Sequence, residues 1–375
     1  IVSLADYAAT WQTNNVTVTP NGTDKIGGEN VSVNLDTEGQ SVTFVFVDST
    51  QGWVNTMDST SNVRGKAFIV ATGGTPTQSG DFEIRTFTGP GTFEVTALAN
   101  NPTFNSIDYL VIAGGGGASN GQGGGGGAGG FRESHDPAVS GCYTASPLAT
   151  PTSIPVSVTS YPIVIGAGGD GANTGPPFAA AGSNGSPSSA FSITSTAGGG
   201  GGYNTPIQSP TNGAGGSGGG SGEGGAPGAG NTPPVSPPQG TQGGAYGVYG
   251  AGSGGGGAIQ AGFSSPGPSR PGCFPGNAGD GGVGGSGAAT SISGSAITRA
   301  GGGGGGRYPS VPGSIGGVGG AGGGGESGGC GTPQGGPAAG TEGTVNTGSG
   351  GGVSRAVPAP ANGGSGIVII RYKRQ

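Results

Sequence analysis

The chain has 375 residues, of which 97 are glycine and 29 are proline, while only 8% are charged and 30% are hydrophobic. This composition is typical of disordered chains, because little apolar surface offsets the entropy lost in ordering so many glycines. An ordered structure would need a backbone geometry that requires glycine. The net charge of −6, with no lysine between Lys66 and Lys373, argues against nucleic acid or membrane-surface binding. No apolar run reaches the ~18 residues of a membrane span.

Residues 1–104 hold 11 of the glycines and have the pattern of β-structure. Segments with alternating or β-branched residues lie between Gly, Asn, Pro or Asp turns at 15–20, 31–35, 41–48, 67–72, 81–87 and 91–98. We predict one or two small antiparallel β-modules, the first at 1–65 and a second module or connector at 66–104. Trp11 and Trp53 are expected to pack in a core or an interface. Since the chain starts at Ile1, we expect it to be a C-terminal piece of a longer or processed protein.

Residues 105–375 alternate glycine runs with Pro/Ser/Thr-rich loops. Several runs have a period of three, as in IGGVGGAGG, where Ile315, Val318 and Ala321 are separated by glycine pairs. Three residues per turn is the period of polyproline II, a helix without internal hydrogen bonds. The phase slips between short runs, which disfavours collagen. We therefore predict a bundle of polyglycine II helices, bonded side by side through their backbones, with essentially no α-helix.

Two apolar segments frame this part, SIDYLVIAGGGG at 106–117 and GGSGIVIIRYKRQ at 363–375. We predict that they pair as β-strands and close the domain. With both termini at this base, the glycine-rich stretches segment into ten passes, and the far tip is predicted to carry loops 131–155, 203–212, 258–276, 307–314 and 353–363.

The predicted tip loops carry aromatic and cationic residues among Ser, Gly and Asn, a composition that binding loops favour. The candidates for receptor binding are Phe131, Arg132, His135, Tyr143, Tyr203, Phe263, Arg270, Phe274, Arg307, Tyr308 and Arg355. The alternative is that these side chains pack against each other to order loops that lack any other core.

Little in the sequence indicates catalysis. Its three cysteines have no CxxC spacing and it has one histidine, which excludes a structural zinc site, and we predict no cofactor. Cys142 and Cys273 fall in predicted tip loops, so a disulfide between them is a hypothesis, with free thiols as the alternative. Glu133 and Asp136 lie close in sequence, but a solvated loop explains them better than the paired carboxylates of a glycosidase. We predict that the protein is not an enzyme.

The opening DYAATWQTNNVTVTPNGTDKIGG resembles a β-module of tail-fibre and other virion proteins of marine and cyanobacterial tailed phages. The segments DYLVIAGGGG and GGSGIVIIRY resemble the glycine-rich C-terminal domain of such fibres. The resemblance implies a distal tail fibre of a virion that recognises an outer-membrane protein or surface glycan of the host. It also implies homotrimers in the β-modules and attachment to upstream fibre, baseplate or neck proteins.

Related glycine-rich adhesins of T-even-like phages display variable loops on polyglycine II helices. This chain differs from them in its N-terminal modules and its proline-rich loops, so no receptor residue is carried across. A secreted glycine-rich structural or surface protein is the main alternative, although folded β-modules are atypical of a cell-wall polymer. An ice-binding polyglycine II bundle is a third, disfavoured by the irregular aromatic loops.

Overall fold

A computed structural model describes residues 1–58, 68–99, 101–172, 180–203, 213–247, 250–265, 279–329, 339–355 and 361–374. The chain divides into two compact units, Ile1–Ala67 and Phe68–Gln375. Strands from 70–97 pair with strands of the glycine-rich part. The segment that the sequence suggested as a second module, 66–104, is therefore built mostly into the glycine-rich unit.

The first unit is a small β-module whose strands form two antiparallel sheets. The strands are β1 (Val2–Ala5), β2 (Val16–Val18), β3 (Val33–Leu35), β4 (Ser41–Asp48) and β5 (Gly52–Asp58). β4 lies between β1 and β5, while β2 and β3 form a hairpin. Leu35, Val42 and Phe44 are buried at its centre, with Trp11 and Trp53 packed against them. Both tryptophans thus contribute to the core.

The second unit contains the other strands and the glycine-rich runs. Its strands are β6 (Val70–Thr72), β7 (Thr75–Ser79), β8 (Phe82–Phe87), β9 (Gly91–Ala97), β10 (Ser106–Ile112), β11 (Phe131–Ser134), β12 (Ala149–Thr150), β13 (Ile154–Pro155), β14 (Ser160–Val164), β15 (Ser188–Ala190), β16 (Ile193–Ser195), β17 (Ala288–Thr290), β18 (Ile297–Arg299) and β19 (Ile367–Lys373). Within the described ranges, the helices are a 3-10 turn, Pro102–Phe104, and α1, Pro137–Ser140. The predicted all-β class is confirmed.

Two larger sheets organise this unit. One has the strand order β12-β11-β10-β19-β8-β7, with β13 also pairing to β10, and the other has the order β16-β15-β14-β9-β6. β17 and β18 form a separate hairpin. β10 and β19 pair antiparallel, from Asp108 opposite Arg371 to Ile112 opposite Ile367. The predicted closure of the domain by its two apolar ends is therefore confirmed, and we call the first of these sheets the closing sheet.

Both faces of the closing sheet are covered. On one face Tyr109, Val111 and Ile370 pack in a core shared with the five-stranded sheet. On the other face Leu110 and Ile369 pack against alanines at the ends of glycine-rich runs and against the β17–β18 hairpin. Burial on both faces explains why β10 and β19 are continuous apolar runs rather than alternating ones.

The glycine-rich runs bond to one another with a period of three residues. Along 113–119, successive amides donate to three neighbouring runs in turn, and every third amide returns to the same run. Gly114 and Gly117, for example, donate to carbonyls in 183–186 at 3.0 and 2.9 Å. This threefold pattern of bonds between runs is the pattern expected of packed polyglycine II helices.

The run 124–130 lies at the centre of the bundle. It exchanges backbone hydrogen bonds with six other runs, 113–119, 196–202, 216–221, 251–257, 300–306 and 348–354. Its buried amides are therefore satisfied by neighbouring backbones, as buried polar groups require.

Interior glycines leave no room for a side chain. A Cβ on Gly126 would lie 2.0 Å from the carbonyl oxygen of Gly116, and one on Gly350 would lie 1.9 Å from that of Gly126. The opposing atoms belong to backbones that are themselves hydrogen-bonded, so they cannot rotate away. The hydrogen-bonding distance between neighbouring runs thus dictates glycine at these positions.

The packing predicts a sharp difference between two Gly→Ala substitutions. Gly126→Ala should lower the free energy of unfolding by about 3 kcal/mol, because a methyl group must push two bonded runs apart. Gly225→Ala should change it by less than about 0.5 kcal/mol, since the nearest heavy atom to its Cβ would lie 3.5 Å away. Equilibrium chemical denaturation measures both, and equal stabilities would contradict the packing described.

Candidate functional site

The first glycine-rich run ends in a turn at 120–123, before the loop 131–155 where the sequence predicted the first reversal. At 120–123 the amide of Gly123 donates to the carbonyl of Asn120 at 3.1 Å, and Gly121 has a φ of 66°. The chain then returns along 124–130 into β11, which pairs antiparallel with β10. The predicted ten passes and the placement of loop 131–155 at the far tip are therefore wrong, and this segment lies at the closing sheet.

The candidates in this segment are ordered by packing. Phe131 is 1% exposed in the core beneath the closing sheet, and Arg132 is half-buried. The ring centroids of His135 and Tyr143 lie 4.1 Å apart. Nε2 of His135 lies 3.0 Å from the carbonyl oxygen of Gly141. For Phe131, His135 and Tyr143, the packing alternative accounts for their positions.

A buried polar cluster that the sequence analysis did not identify lies beneath the same segment. Asp108 is fully buried and accepts three short hydrogen bonds. The donors are the hydroxyls of Ser134 and Ser140, both at 2.6 Å, and the amide of Asp136 at 2.7 Å. This carboxylate thus fixes the backbone that leaves β11.

Arg371, opposite Asp108 on β19, completes the cluster from the other strand. Its Nε donates to the carbonyl of Ser140 at 2.9 Å, and its Nη1 donates to that of Ile292 at 3.2 Å. The guanidinium carbon lies 4.9 Å from the ring centroid of Phe82 and 5.0 Å from that of Tyr143. Burial lowers the pKa of Arg371.

Glu133 connects the same segment to the β17–β18 hairpin. Its carboxylate is 1% exposed and accepts hydrogen bonds from the amide of Ser146 and the hydroxyl of Thr290. Burial raises the pKa of Glu133 more than these bonds lower it. Asp136 instead caps α1 by accepting the amide of Ala138 at 2.9 Å. Both carboxylates that the sequence brought together are engaged in holding the loop.

The other end of the bundle carries a second group of candidates. Tyr203 follows the run 196–202, Tyr308 follows 300–306 and Arg355 follows 348–354. These three runs are directed away from the closing sheet, because their hydrogen bonds make each of them antiparallel to the returning run 124–130. We call the end of the bundle that is farthest from the closing sheet the distal end. Half-buried residues there include Tyr203, Tyr308 and Arg355.

Two arginines meet at the distal end. Arg307 is 4% exposed and its Nη1 donates to the carbonyl of Ser314 at 3.1 Å, while its Nε has no partner within the described residues. Nη1 of Arg355 donates to the carbonyl of Arg307 at 3.5 Å. Burial, and then the charge of Arg307, lower the pKa of Arg355. The ion pairs among the described residues join Glu83 to Arg85 and to Arg374. Arg307 and Arg355 therefore have no carboxylate partner within those residues.

Tyr308 directly follows Arg307 in the sequence, and both Tyr308 and Tyr246 contact Gly250. The ring of Tyr308 packs on Gly250, where a Cβ would come within 3.0 Å of the ring. The hydroxyl of Tyr246 accepts the amide of Gly250 at 3.1 Å. Tyr246 is not among the sequence candidates, because AYGVYG lies in a stretch predicted to be a glycine-rich run. We call Tyr246, Arg307, Tyr308 and Arg355 the distal cluster.

The last of the candidates from the sequence are Phe263, Arg270 and Phe274. Phe263 is half-buried within a run, where its amide donates to Val283 at 2.9 Å. Arg270, Phe274 and Cys273 lie outside the described residues. Cys142 is exposed in the segment at the closing sheet. Its pairing with Cys273 stays a prediction.

The part of the chain that the structure describes contains neither a metal-binding cluster nor a membrane-spanning helix. No group of three or more His, Cys, Asp or Glu residues there is placed to hold a metal ion. No helix there is both long and apolar enough to cross a membrane.

A domain closed by paired apolar strands around a glycine-rich bundle defines a class of protein. The family model described as "Glycine-rich domain" matches residues 86–373, and the chain belongs to this family. Comparison with curated proteins and with solved structures gave no match.

The buried cluster predicts that Asp108→Asn is destabilising. An asparagine places an NH₂ group where a carboxylate oxygen now faces hydrogen-bond donors, so we expect a loss of about 2 kcal/mol in the free energy of unfolding. Asp170→Asn, which changes an exposed carboxylate, should alter it by less than about 0.5 kcal/mol. Chemical denaturation compares them, and unchanged stability in both would refute this role of Asp108.

Glu133 predicts a pH-dependent stability. Because its pKa is raised above the ordinary 4.5, the folded state binds this proton more tightly than the unfolded state does. The stability that Glu133 adds to the folded state is therefore fully present below pH 4.5, and it is lost as the pH rises through the raised pKa. Glu133→Gln should reduce the fall in unfolding free energy from pH 4.5 to about pH 7. Glu326→Gln, at an exposed carboxylate, should show the same dependence of unfolding free energy on pH as the parent. The same dependence in Glu133→Gln would contradict this role of Glu133.

Proposed function

We propose that this chain is the distal, receptor-facing part of a bacteriophage tail fibre, and that it acts by adhesion rather than catalysis. Support comes from the polarity of the second unit. One end is fixed by a closing sheet with a buried core, and the other presents tyrosines and arginines on the ends of bonded runs. A rigid scaffold lowers the entropy cost of contact, because the binding loops are ordered beforehand.

Tyr246, Tyr308 and Arg355 of the distal cluster, together with Tyr203, are the proposed receptor surface. Arg307, which is 4% exposed, supports Arg355 through its backbone carbonyl. Tyr and Arg are the residues that most often dominate binding energy at protein interfaces. Arg270 and Phe274 remain candidates from the sequence. Phe131, Arg132, His135 and Tyr143 lie at the opposite end, so they are no longer proposed as receptor contacts. The receptor is an outer-membrane protein or a surface glycan of the host.

The sequence resemblance supports the remaining assignments. Homotrimers form through the β-modules, and upstream fibre, baseplate or neck proteins attach the chain to the virion. No catalytic role is proposed, since the carboxylates of Glu133 and Asp136 are occupied by structural hydrogen bonds.

A secreted glycine-rich structural or surface protein is the second candidate, favoured by the family membership alone. Antibody against the full chain distinguishes the two in electron micrographs of purified phage particles. The proposal requires label at the distal ends of fibres, and label elsewhere would disprove it.

The adhesive role predicts separable effects at the two ends of the bundle. The purified full chain should inhibit adsorption of the phage that carries it. Tyr308→Ala and Arg355→Ala should each weaken this inhibition by about tenfold or more. Arg132→Ala, a half-buried arginine at the closing sheet, is the matched control and should inhibit like the parent.

Melting temperatures of all variants establish that they are folded. Parent-like inhibition by both distal variants would show that the distal cluster is not the receptor surface.

A further inference from the structure

The first unit contains an open cleft that the adhesive role does not use. Its volume is about 370 Å³, at the small end of the range for ligand sites. The residues that line it are Val2, Val18, Thr19, Pro20, Asn21, Asp24, Ile26, Phe44 and Trp53. All of them belong to the β-module of residues 1–58.

The polar and apolar parts of the lining are segregated. Thr19, Asn21 and Asp24 come from one short segment between β2 and β3. The other walls are aliphatic or aromatic side chains, including Phe44 and Trp53, from the strands and the hydrophobic core. A ligand with one polar head and an apolar stem matches this division, whereas a sugar, with hydroxyls around its ring, does not.

The backbone of this segment is held by hydrogen bonds, and the Thr19 hydroxyl is hydrogen-bonded to the Ser32 hydroxyl at 2.9 Å. The amide of Asp24 donates to the carbonyl of Asn21 at 2.9 Å, and its carbonyl accepts from Nδ2 of Asn30 at 2.6 Å. Within residues 1–58, the Asp24 carboxylate forms no hydrogen bond or ion pair. A carboxylate at the edge of an apolar cleft, with its position fixed by backbone bonds, is a pre-organised acceptor for a cation.

The charge of the unit selects the same ligand. Residues 1–67 contain seven Asp or Glu residues and three basic residues, Lys25, Arg64 and Lys66. A net charge of this sign repels anionic ligands and attracts cations. Cations also interact favourably with the faces of aromatic rings such as that of Trp53.

We propose that this cleft binds a primary alkylammonium group, supplied by a lysine side chain of a partner protein. The ammonium group pairs with the Asp24 carboxylate, with the side chains of Asn21 and Thr19 as further acceptors. The methylene stem lies along the apolar wall formed by Val18, Ile26 and Trp53. Long cationic side chains commonly bury their stems in this way while the charged head is paired.

A series of probes with one six-carbon stem and three head groups tests this on the full chain. Trp11 and Trp53 are the only tryptophans, so a spectrum of indole N–H groups contains two signals, which Trp11→Phe assigns. Hexylammonium should shift the Trp53 signal in a saturable manner, and added salt should weaken binding. Hexanol and hexanoate should leave it unchanged, and equal shifts with hexanol would overturn the proposal.

Asp24→Asn should lower the affinity for hexylammonium by about tenfold or more, as loss of a charged hydrogen bond does. Asp36→Asn removes an equal charge from an exposed position outside the cleft and should bind like the parent. Equal affinities in the two variants would refute the role of Asp24. Should Asp24→Asn not fold, as judged by its melting temperature, the head-group series on the parent chain still decides.

The source of the ammonium group is tested with an acetyl-Gly-Lys-Gly-amide peptide and its Nε-acetylated form. The lysine peptide should shift the Trp53 signal and the acetylated form should not, because acetylation removes the charge. Binding of hexylammonium without binding of the lysine peptide would overturn the assignment to a protein side chain.

Discussion

The second unit depends on the direct contact between the amide of one glycine run and the carbonyl of the next. Because this bond sets the spacing between backbones, a carbonyl oxygen stands about where the Cβ of Gly126 or Gly350 would be. The buried Ala128 lies where a run reaches the closing sheet, and its methyl group packs in the hydrophobic cluster there. Buried serines such as Ser217 instead donate to a neighbouring carbonyl. The glycine content is therefore a consequence of packing distance rather than of flexibility.

Hydrogen bonds alone leave such a bundle marginal, since each contributes a net ~1 kcal/mol against a backbone entropy cost of ~1–2 kcal/mol per residue. The closing sheet supplies the apolar burial that the runs lack. Within its core, Asp108 and Arg371 are each satisfied by neutral groups of the β11 segment and the β17–β18 hairpin. Burying charges is costly, so their role is better understood as fixing how connecting segments cross the sheet than as adding stability.

The sequence predicted the features that depend on local pattern. β4, β8 and β9 follow from alternation, the β10–β19 closure from apolar runs, and the polyglycine II bundle from triplet spacing. It did not predict where the runs turn, because glycine gives no signal of direction and a turn at Asn120 looks like one more interruption. That single missed reversal moved Phe131, His135 and Tyr143 to the wrong end. Asp108 and Arg371 carried a usable signal, since each is a charge within an otherwise apolar strand.

The electrostatics of the two units point to different ligands. The distal cluster brings two guanidinium groups together with no carboxylate partner in the described ranges, which favours acceptor-rich or anionic groups on a receptor. The first unit has the opposite sign, with seven acidic and three basic residues in 1–67. The Asp24 carboxylate at its cleft forms no hydrogen bond or ion pair within residues 1–58. A ligand suited to one of these surfaces is repelled by the other. In the functions that we propose, this difference in charge keeps the receptor and the lysine-bearing partner from competing for the same surface.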